Sequence, residues 1–319
     1  MELQEVYSMD NVLFIGGAGF IGSNIIKHLL QKRNNRIIVL EPEFASLHRL
    51  AGLPVKIVRG ELNNLDRVKT VLLENKIATV VHLVSTLIPG SSFDDYQREI
   101  TNVHFPSIRL MEFCSEQDIK FVYFSSGGTI YGDKKGEVNP FTEDSPMAPI
   151  SFYGWSKQMM ENSILFMHRT QNLKYVIVRP SNPYGIGQNM HGKQGLIAVA
   201  MGKILAGKEI EIWGDGSSVR DYIHIDDLGQ AVADILLKES IVNETLNVGG
   251  GVGYSINEIV DVLRKVVKEE VIIKYLPARK MDVSSVVLDT SKIKSLITFQ
   301  PRSLEEGIVQ FYQYLKDGE

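Results

Sequence analysis

Short apolar segments alternate with helical patterns along the first 180 residues. The strand-like segments are NVLFI (11–15), RIIVL (36–40), VKIVR (55–59), ATVVHLV (78–84), KFVYFS (120–125) and KYVIVR (174–179). Nearly continuous runs of β-branched and aromatic residues are typical of strands that are buried on both faces of a parallel sheet. Helical periodicity covers residues 20–32, 65–75, about 95–117 and 152–170. The alternation predicts an α/β fold with a doubly wound parallel sheet.

A glycine-rich turn separates the first strand from the first helix in VLFIGGAGFIGS (12–23). Gly16, Gly19 and Gly22 would allow a sharp turn, close approach of the backbone to a pyrophosphate, and close packing of the helix on the sheet. The helix start at Phe20 and Ile21 offers free N–H groups and a positive dipole end to phosphates. Because the triplet follows a strand and opens a helix, it predicts a dinucleotide site of the Rossmann type.

The second strand ends in Glu41, 19 residues after Gly22. A carboxylate ~20 residues after the glycine motif typically accepts hydrogen bonds from the adenosine ribose hydroxyls. Its charge would repel a 2′-phosphate, and Pro42 to Ser46 include no Lys or Arg that would compensate. We therefore predict that the cofactor is NAD rather than NADP.

The pattern changes after Arg179. Residues 180–192 are rich in Pro, Gly and Asn, which predicts a functional loop. A strand-like segment at 244–250, a helix from Ser255 and two helices in the tail follow. We expect an NAD-binding Rossmann domain over 1–180, to which 221–250 returns, and a smaller α/β lobe over 181–319 that mainly binds substrate.

A tyrosine and a lysine stand four residues apart at the start of the predicted helix in FYGWSKQMMEN (152–162). Tyr153 and Lys157 would share one helix face. A nearby ammonium favours tyrosinate, so Tyr153 is a candidate general base, and Lys157 can also hydrogen-bond the cofactor ribose. The same spacing occurs at Tyr131/Lys135 and Tyr312/Lys316. We predict no catalytic role for those pairs, because one lies in a turn-like segment and the other in the terminal helix.

The bulk composition restricts the function further. The net charge of −4 over 319 residues provides no global basic field for nucleic acid or an anionic membrane. We expect no secretory signal at the start and no membrane span, which would need ~18–20 apolar residues. The single cysteine, Cys114, excludes an intramolecular disulfide and fits a cytoplasmic setting. The seven histidines have no metal-ligand spacing, so no metal is expected.

The ordered motifs resemble the extended short-chain dehydrogenase/reductase family, especially its UDP-glucose 4-epimerases and related sugar-nucleotide epimerases. The resemblance covers nearly the whole chain through GGAGFIGS, VVHLVS, SSGGTIYG, YGWSK, RPSNPYG, GDGSSVRDYIHIDDL, LNVGGG and PARKMDV. It implies an NAD-dependent isomerase of polysaccharide biosynthesis. Such an enzyme inverts C4 of a UDP-hexose through a 4-keto intermediate.

The same resemblance implies roles for single residues. Leu83 in VVHLVS would contact the cofactor, Asn102 would support the active site, and Asn182 would lie on the substrate side. Arg220 and Arg279 would hold the substrate diphosphate and nucleotide. Guanidinium groups suit that task because they bind phosphate through two charge-assisted hydrogen bonds.

Two positions depart from the family pattern. Gly127 stands where the family usually has Ser or Thr, so the hydrogen bond to the reacting oxygen would come from Ser126, Thr129 or water. We favour Thr129, which we also expect to contact the substrate. Glu61 replaces the usual Asp after the third strand, and together with Leu62 it is expected to contact the adenine.

The sequence leaves three functions open. Epimerisation is favoured over 4,6-dehydration, because Gly127, Gly128 and Thr129 supply no carboxylate for the loss of water. A sugar-nucleotide reductase or dehydrogenase would consume free NAD(H). A non-enzymatic NAD-binding regulator is supported only by Gly127, and the intact Tyr153 and Lys157 oppose it.

The resemblance further implies a homodimer built through a four-helix bundle. The candidate apolar residues on helices 95–117 and 152–170 are Ile108, Met111, Phe113, Ile164, Leu165 and Met167, and packing within the monomer explains them about as well. Adjacent Asp226 and Asp227 are interpreted as a strand end and helix N-cap rather than a metal site. Trp213 would line the substrate lobe or pack within it.

Overall fold

A computed structural model describes residues 11–32, 36–133, 140–192, 194–278 and 284–317. The chain divides into two compact units. The first comprises the chain up to Ser125, Ser151–Val178 and Gly229–Leu246, and the second comprises Ser126–Ile150, Arg179–Leu228 and the chain from Asn247 onward. The glycine turn, Tyr153 and Lys157 therefore belong to the first unit, whereas Thr129 and Asn182 belong to the second.

The first six strands are the segments that the apolar pattern predicts. In chain order they are β1 (Asn11–Ile15), β2 (Ile37–Glu41), β3 (Lys56–Arg59), β4 (Ile77–His82), β5 (Lys120–Phe124), β6 (Tyr175–Pro180), β7 (Asn182–Tyr184), β8 (Ile210–Trp213), β9 (Val219–His224), β10 (Glu244–Val248), β11 (Gly253–Ser255), β12 (Ile273–Leu276) and β13 (Ser285–Val286).

The helices include those that the periodicity predicts at 20–32, 65–75, about 95–117 and 152–170. They are α1 (Phe20–Lys32), α2 (Leu65–Glu74), α3 (Phe93–Glu99), α4 (Phe105–Glu116), α5 (Gly127–Ile130), α6 (Phe152–Gln171), α7 (Leu196–Leu205), α8 (Ile225–Leu237), α9 (Ile256–Val266), α10 (Ser291–Leu296) and α11 (Leu304–Asp317). A π-helical turn at Ile100–His104 joins α3 to α4. None of the helices in the described ranges is both long and apolar enough to cross a membrane.

A seven-stranded sheet organises the first part of the fold in the order β10-β6-β5-β4-β1-β2-β3. The pairings from β6 through β3 are parallel. The fold class is therefore confirmed as a doubly wound Rossmann sheet. The strand order reverses between β1 and β4, and ligands of such sheets bind beyond the carboxyl ends of the strands at this switch point.

The core of the first unit explains why the strands are continuously apolar. All five residues of β2 are buried, and side chains of α2, α4 and α6 pack on the same sheet. Four residues considered for a dimer interface, Met111, Phe113, Ile164 and Met167, lie in this core. Of the two explanations left open for them, packing within the monomer is therefore the one that holds, because these helices turn these residues toward the sheet of their own chain.

The second unit contains two smaller sheets. Strand β9 pairs with β7, β11 and β13, and β8 pairs with β12. The helix expected from Ser255 is found as α9, and its N-cap Ser255 forms a capping box with Glu258. Trp213 ends β8 with 39% of its surface exposed.

The N-cap interpretation of Asp226 and Asp227 is wrong. Helix α8 begins at Ile225, so both aspartates lie inside its first turn. The Asp227 carboxylate accepts hydrogen bonds from Arg302 Nε at 3.0 Å and Nη2 at 2.8 Å. Asp226 accepts one from Gln310 Nε2 at 3.0 Å. These bonds tie the start of α8 to α11.

Candidate active site

The glycine turn after β1 is shaped by close backbone packing. Gly16 has a φ of +83°, which favours glycine, and a Cβ there would lie 3.0 Å from Val84 Cγ2. A Cβ on Gly22 would lie 2.7 Å from the Cα of Gly17. Gly19 is exposed at the tip, just before α1 begins at Phe20. The turn and the N-terminus of α1 therefore form an open backbone cradle that fits a pyrophosphate.

Glu41 supports this cradle from the end of β2. Its side chain is 5% exposed, and its Oε1 accepts a hydrogen bond from the Ala18 amide at 2.6 Å. Burial raises the pKa of Glu41, although the Ala18 bond and the charge of Arg59 oppose the shift. The carboxylate thus fixes the turn with one oxygen, and its second oxygen is the candidate acceptor for ribose hydroxyls.

The remaining cofactor candidates lie at neighbouring strand ends. The Leu83 amide donates to the Ile15 carbonyl oxygen at 3.0 Å, so the end of β4 adjoins the end of β1. Glu61 is exposed after β3, whereas the Leu62 side chain packs into the core. Leu62 can therefore offer a ligand its backbone only.

Arg59 is a neighbour of Glu41 that the sequence reasoning missed. It pairs with Glu41 in the register of β2 and β3, and its Nη1 donates to the carbonyl oxygens of Pro42 at 2.7 Å and Ala45 at 3.0 Å. Arg59 lies far from Glu41 in the sequence and comes beside it only through the pairing of β2 and β3. The residues directly after Glu41 therefore do not reveal this cation.

Tyr153 and Lys157 lie on the first two turns of α6, whose N-cap Ser151 accepts a hydrogen bond from the Gly154 amide at 3.1 Å. Lys157 Nζ donates to the Phe124 carbonyl oxygen at 2.8 Å, at the carboxyl end of β5. It also lies 5.7 Å from the centre of the Tyr153 ring. The helix therefore places this ammonium beside the phenol, at a strand end next to the switch point.

Burial sets the electrostatics of Lys157. The side chain is 4% exposed, and loss of hydration lowers its pKa to about 8, although the charges of Glu99 and Glu161 act in the opposite direction. Its ammonium form is therefore retained at neutral pH. A cation at this place can stabilise a tyrosinate and can donate hydrogen bonds to a ribose.

At the π-helical turn before α4, the residue that was expected to face the interior is not the one that is buried. Asn102 is exposed, whereas Glu99 and His104 are buried. The expectation that the Asn102 side chain supports the active site is therefore wrong. Sequence periodicity could not reveal the buried pair, because the two residues are five apart and do not share a face of a regular α-helix.

In the second unit, the short helix α5 carries the candidate hydroxyl groups. Ser126 precedes α5 and makes no side-chain capping bond. Thr129 Oγ1 is buried and has no hydrogen-bond partner among the described residues. Gly127 packs against Leu288, which would have to shift to admit a side chain at position 127. A hydroxyl from this segment can therefore come from Ser126 or Thr129 only.

Asn182 is held beside α5 within the same unit. Its Nδ2 donates to the Asp221 carbonyl oxygen at 2.8 Å, and a Cβ on Gly128 would lie 3.4 Å from Asn182 Oδ1. Arg220 precedes Asp221 in β9, and its Nη1 donates to the Val219 carbonyl oxygen at 2.8 Å. Asn182 therefore lies beside the start of α5. Arg220 lies on β9, and Arg279 lies outside the described residues.

The other two tyrosines that are followed by a lysine after four residues form hydrogen bonds that stabilise the fold. The Tyr131 hydroxyl donates to Asn247 Oδ1 at 2.7 Å and accepts from Arg179 at 2.8 Å, and Lys135 lies outside the described residues. Tyr312 and Lys316 both bond the Glu269 carboxylate, at 2.8 and 3.1 Å. Tyr312 and Lys316 thus bind a common acid.

A model of the NAD dependent epimerase/dehydratase family matches residues 12–249. The chain therefore belongs to this family of NAD-dependent enzymes, and its cofactor is NAD. The matched range includes the glycine turn, Glu41, Tyr153, Lys157 and Arg220.

Individual relatives align over nearly their whole length. A putative UDP-glucose 4-epimerase of Methanocaldococcus jannaschii is 29% identical over 309 residues, covering 96% of this chain and 98% of the relative. A dTDP-4-dehydro-6-deoxyglucose reductase of Escherichia coli is 29% identical over 307 residues, covering 94% and 95%. The crystal structure of a Thermotoga maritima UDP-glucose 4-epimerase with UDP-glucose has a TM-score of 0.87 at 30% identity, covering 97% and 99%.

Proposed function

We propose that this chain epimerises C4 of a UDP-hexose, of the UDP-glucose/UDP-galactose type, through a 4-keto sugar. The observation that carries the proposal is the placement of Tyr153 beside the buried ammonium of Lys157 at the carboxyl end of β5. The family membership and the likeness to a UDP-glucose 4-epimerase over 97% of the chain support the same reaction.

Different residues of the chain have different roles in this reaction. Bound NAD supplies a reversible hydride acceptor. The glycine turn and Glu41 hold its phosphates and adenosine ribose, with Glu61, Leu62 and Leu83 beside them, and Lys157 bonds its second ribose. Proteins of this kind contribute binding and orientation to cofactor chemistry.

Tyr153 moves the proton of the C4 hydroxyl. The phenolate takes this proton when the sugar is oxidised and returns it when the sugar is reduced on its other face. Lys157 stabilises the phenolate by its charge. Thr129, with Ser126 as the neighbouring hydroxyl, hydrogen-bonds the reacting oxygen, while Asn182, Arg220 and Arg279 hold the sugar and the nucleotide diphosphate.

The test is incubation of NAD-loaded enzyme with UDP-glucose, UDP-galactose and their N-acetylamino and uronic acid counterparts. Proton NMR should show one pair reaching equilibrium from either side, with no net change in absorbance of reduced nicotinamide. If no pair interconverts, C4 epimerisation is excluded.

The reductase relative favours one second candidate. The Escherichia coli protein is named for reduction of a 4-keto sugar nucleotide, and it is as similar as the epimerase relative at 29% identity. A 4-keto sugar reductase would need the same proton donor at Tyr153 but would consume one reduced nicotinamide per turnover. The absorbance measurement separates this candidate from the epimerase.

A homodimer remains our proposal, with different residues at its interface. Large aromatic side chains are exposed on the two helices, namely Phe105 (61%) on α4 and Trp155 (44%) and Phe166 (54%) on α6. These helices contact one another in the first unit. Their exposed aromatic faces could pack against the same faces of a second copy.

A further inference from the structure

Glu99 is a buried acid that the proposed reaction does not use. Only 2% of its surface is exposed. Its Oε2 accepts two hydrogen bonds from Thr86, one from the backbone amide at 2.8 Å and one from the hydroxyl at 2.6 Å. Thr86 lies in the loop after β4, three residues after Leu83, which bonds the end of β1. The carboxylate therefore ties the end of α3 to the loop beside the switch point.

The π-helical turn explains why Glu99 and His104 are both buried. In a regular α-helix, side chains five residues apart point about 140° apart around the axis. A π turn closes between residues five apart and brings their side chains toward one side. His104 Nε2 lies 3.0 Å from the Ser156 hydroxyl on α6, directly before Lys157. The turn thus buries Glu99 against the loop after β4 and His104 against α6, the helix that carries Tyr153 and Lys157.

Few of the groups around Lys157 carry a negative charge that balances its ammonium. Burial, followed by the charge of Lys157, lowers the pKa of His82 to about 3, and burial also lowers the pKa of His104, so both imidazoles are neutral. The rings of Tyr123 and Tyr153 lie 5.0 and 5.7 Å from Nζ. Glu99 and Glu161 are the carboxylates whose charges favour the ammonium, and Glu99 has the larger effect.

We propose that Glu99 is a positioning residue for the Tyr153–Lys157 pair, in which its carboxylate anchors the loop after β4 through Thr86 and balances the buried charge of Lys157. This inference rests on the proposed function only in naming that pair as the reacting one. Glu99 acts through Thr86 and Lys157 and does not itself take part in proton transfer.

The two roles are separable by substitution. Glu99→Gln keeps an oxygen that accepts from Thr86 but removes the charge, whereas Thr86→Val removes the hydroxyl donor and keeps the charge. Carbon-13 NMR of NAD-loaded enzyme labelled at lysine Cε reports the Lys157 titration, and Lys157→Arg identifies its signal. In Glu99→Gln the midpoint of Lys157 should fall by about one pH unit. In Thr86→Val the midpoint should stay in place.

The loop anchor is measured by NAD binding. Thr86→Val should raise the Kd for NAD about three- to tenfold, because a hydrogen bond to a charged acceptor is lost. Glu99→Asp keeps the charge but shortens the side chain, so it should weaken NAD binding as Thr86→Val does and leave the Lys157 midpoint near that of the parent enzyme. This variant and Thr86→Val test the loop anchor even if Glu99→Gln does not fold.

Turnover adds a third measurement. The alkaline limb of the kcat profile should move to lower pH in Glu99→Gln together with the Lys157 midpoint. An unchanged Lys157 midpoint in Glu99→Gln, or unchanged NAD affinity in both other variants, overturns the inference. The NMR and binding measurements need no sugar nucleotide, so failure of the parent enzyme to convert any UDP-hexose counts against the proposed function alone.

Discussion

Leu288 occupies the space that a side chain at position 127 would need. A Cβ on Gly127 would lie 2.6 Å from Leu288 Cδ1 and 3.1 Å from the Arg179 carbonyl oxygen. Leu288 is itself 1% exposed and packs in a small cluster with Tyr131 and Phe141. A side chain at position 127 would therefore force Leu288 to shift, so the hydroxyl that the resemblance leads one to expect there would overpack this site.

The first prediction concerns this packing. Gly127→Ser should lower the free energy of unfolding by about 1–3 kcal/mol through overpacking, measured by urea denaturation. In a Leu288→Ala background the same substitution should cost at least about 1 kcal/mol less, because the added atoms enter the space left by leucine. Gly90→Ser is the matched control, since a Cβ there meets nothing within 4 Å. Equal costs of Gly127→Ser in both backgrounds would contradict the packing argument.

The second prediction concerns Glu41 and pH. Because burial raises the pKa of Glu41, it protonates at a higher pH than an ordinary glutamate, and a neutral carboxyl accepts hydrogen bonds less strongly. The Kd for NAD should therefore rise as the pH falls toward the acid range. Glu41→Gln should raise the Kd at neutral pH about tenfold and remove most of this pH dependence.

Calorimetric titration with NAD at several pH values measures both effects. Glu43→Gln is the control, because Glu43 lies two residues further on and is exposed. If Glu41→Gln binds NAD as tightly as the parent enzyme at every pH, the proposed ribose contact is absent.

The third prediction concerns the buried Asp221. Its carboxylate accepts hydrogen bonds from the amides of Gly250 at 2.8 Å, Gly251 at 3.0 Å and Leu288 at 3.2 Å. Burial raises its pKa from 3.8 to about 6, and the bonds from the three amides oppose the shift. Since the folded pKa lies above the unfolded one, the stabilisation from proton uptake is complete below about pH 4 and is lost as the pH rises through about 6.

Urea denaturation between pH 4 and 7 tests this sign. The contribution of Asp221 should decrease by about 2 kcal/mol across that window, and Asp221→Asn should remove this part of the pH dependence. The variant should also be less stable at pH 7 by about 1–3 kcal/mol, because amide donors lose their acceptor. An identical pH profile in Asp221→Asn would show that the carboxyl has an ordinary pKa.

The fourth prediction concerns the proposed dimer. Phe105→Glu and Phe166→Glu each place a charge on the exposed aromatic face of α4 and α6, and burying an unpaired charge in an interface is unfavourable. Light scattering should show a dimer for the parent protein and a monomer for the double variant. Tyr314→Glu on α11 is the control, because Tyr314 is similarly exposed at 49%. A parent protein that is monomeric at all concentrations would exclude the dimer.

The sequence predicted well the features that depend on local pattern. The six apolar segments, the start of α1 at Phe20 and the helix expected from Ser255 are found where periodicity places them. Each of these depends on side chains within a few residues of one another. The glycine turn likewise depends on φ at Gly16 and on the contact of Gly22 with Gly17 in the same β-turn-α segment.

The errors involve irregular local backbone or contacts between distant residues. The burial of Glu99 and His104 depends on a π turn, and a 3.6-residue period cannot reveal it. Met111 and Ile164 have the same apolar pattern whether they face the sheet or a second chain. Leu288 and Gly127 are 161 residues apart, so their mutual exclusion becomes visible only in the folded chain.

Proton transfer by Tyr153 is tested most directly by the epimerisation rate of Tyr153→Phe beside that of Tyr312→Phe. Tyr312 is the matched control, because its hydroxyl bonds Glu269 in a structural pair. Tyr153→Phe should lower kcat by about two to four orders of magnitude with NAD still bound, whereas Tyr312→Phe should keep the parent rate. A Tyr153→Phe enzyme as active as Tyr312→Phe would contradict the mechanism.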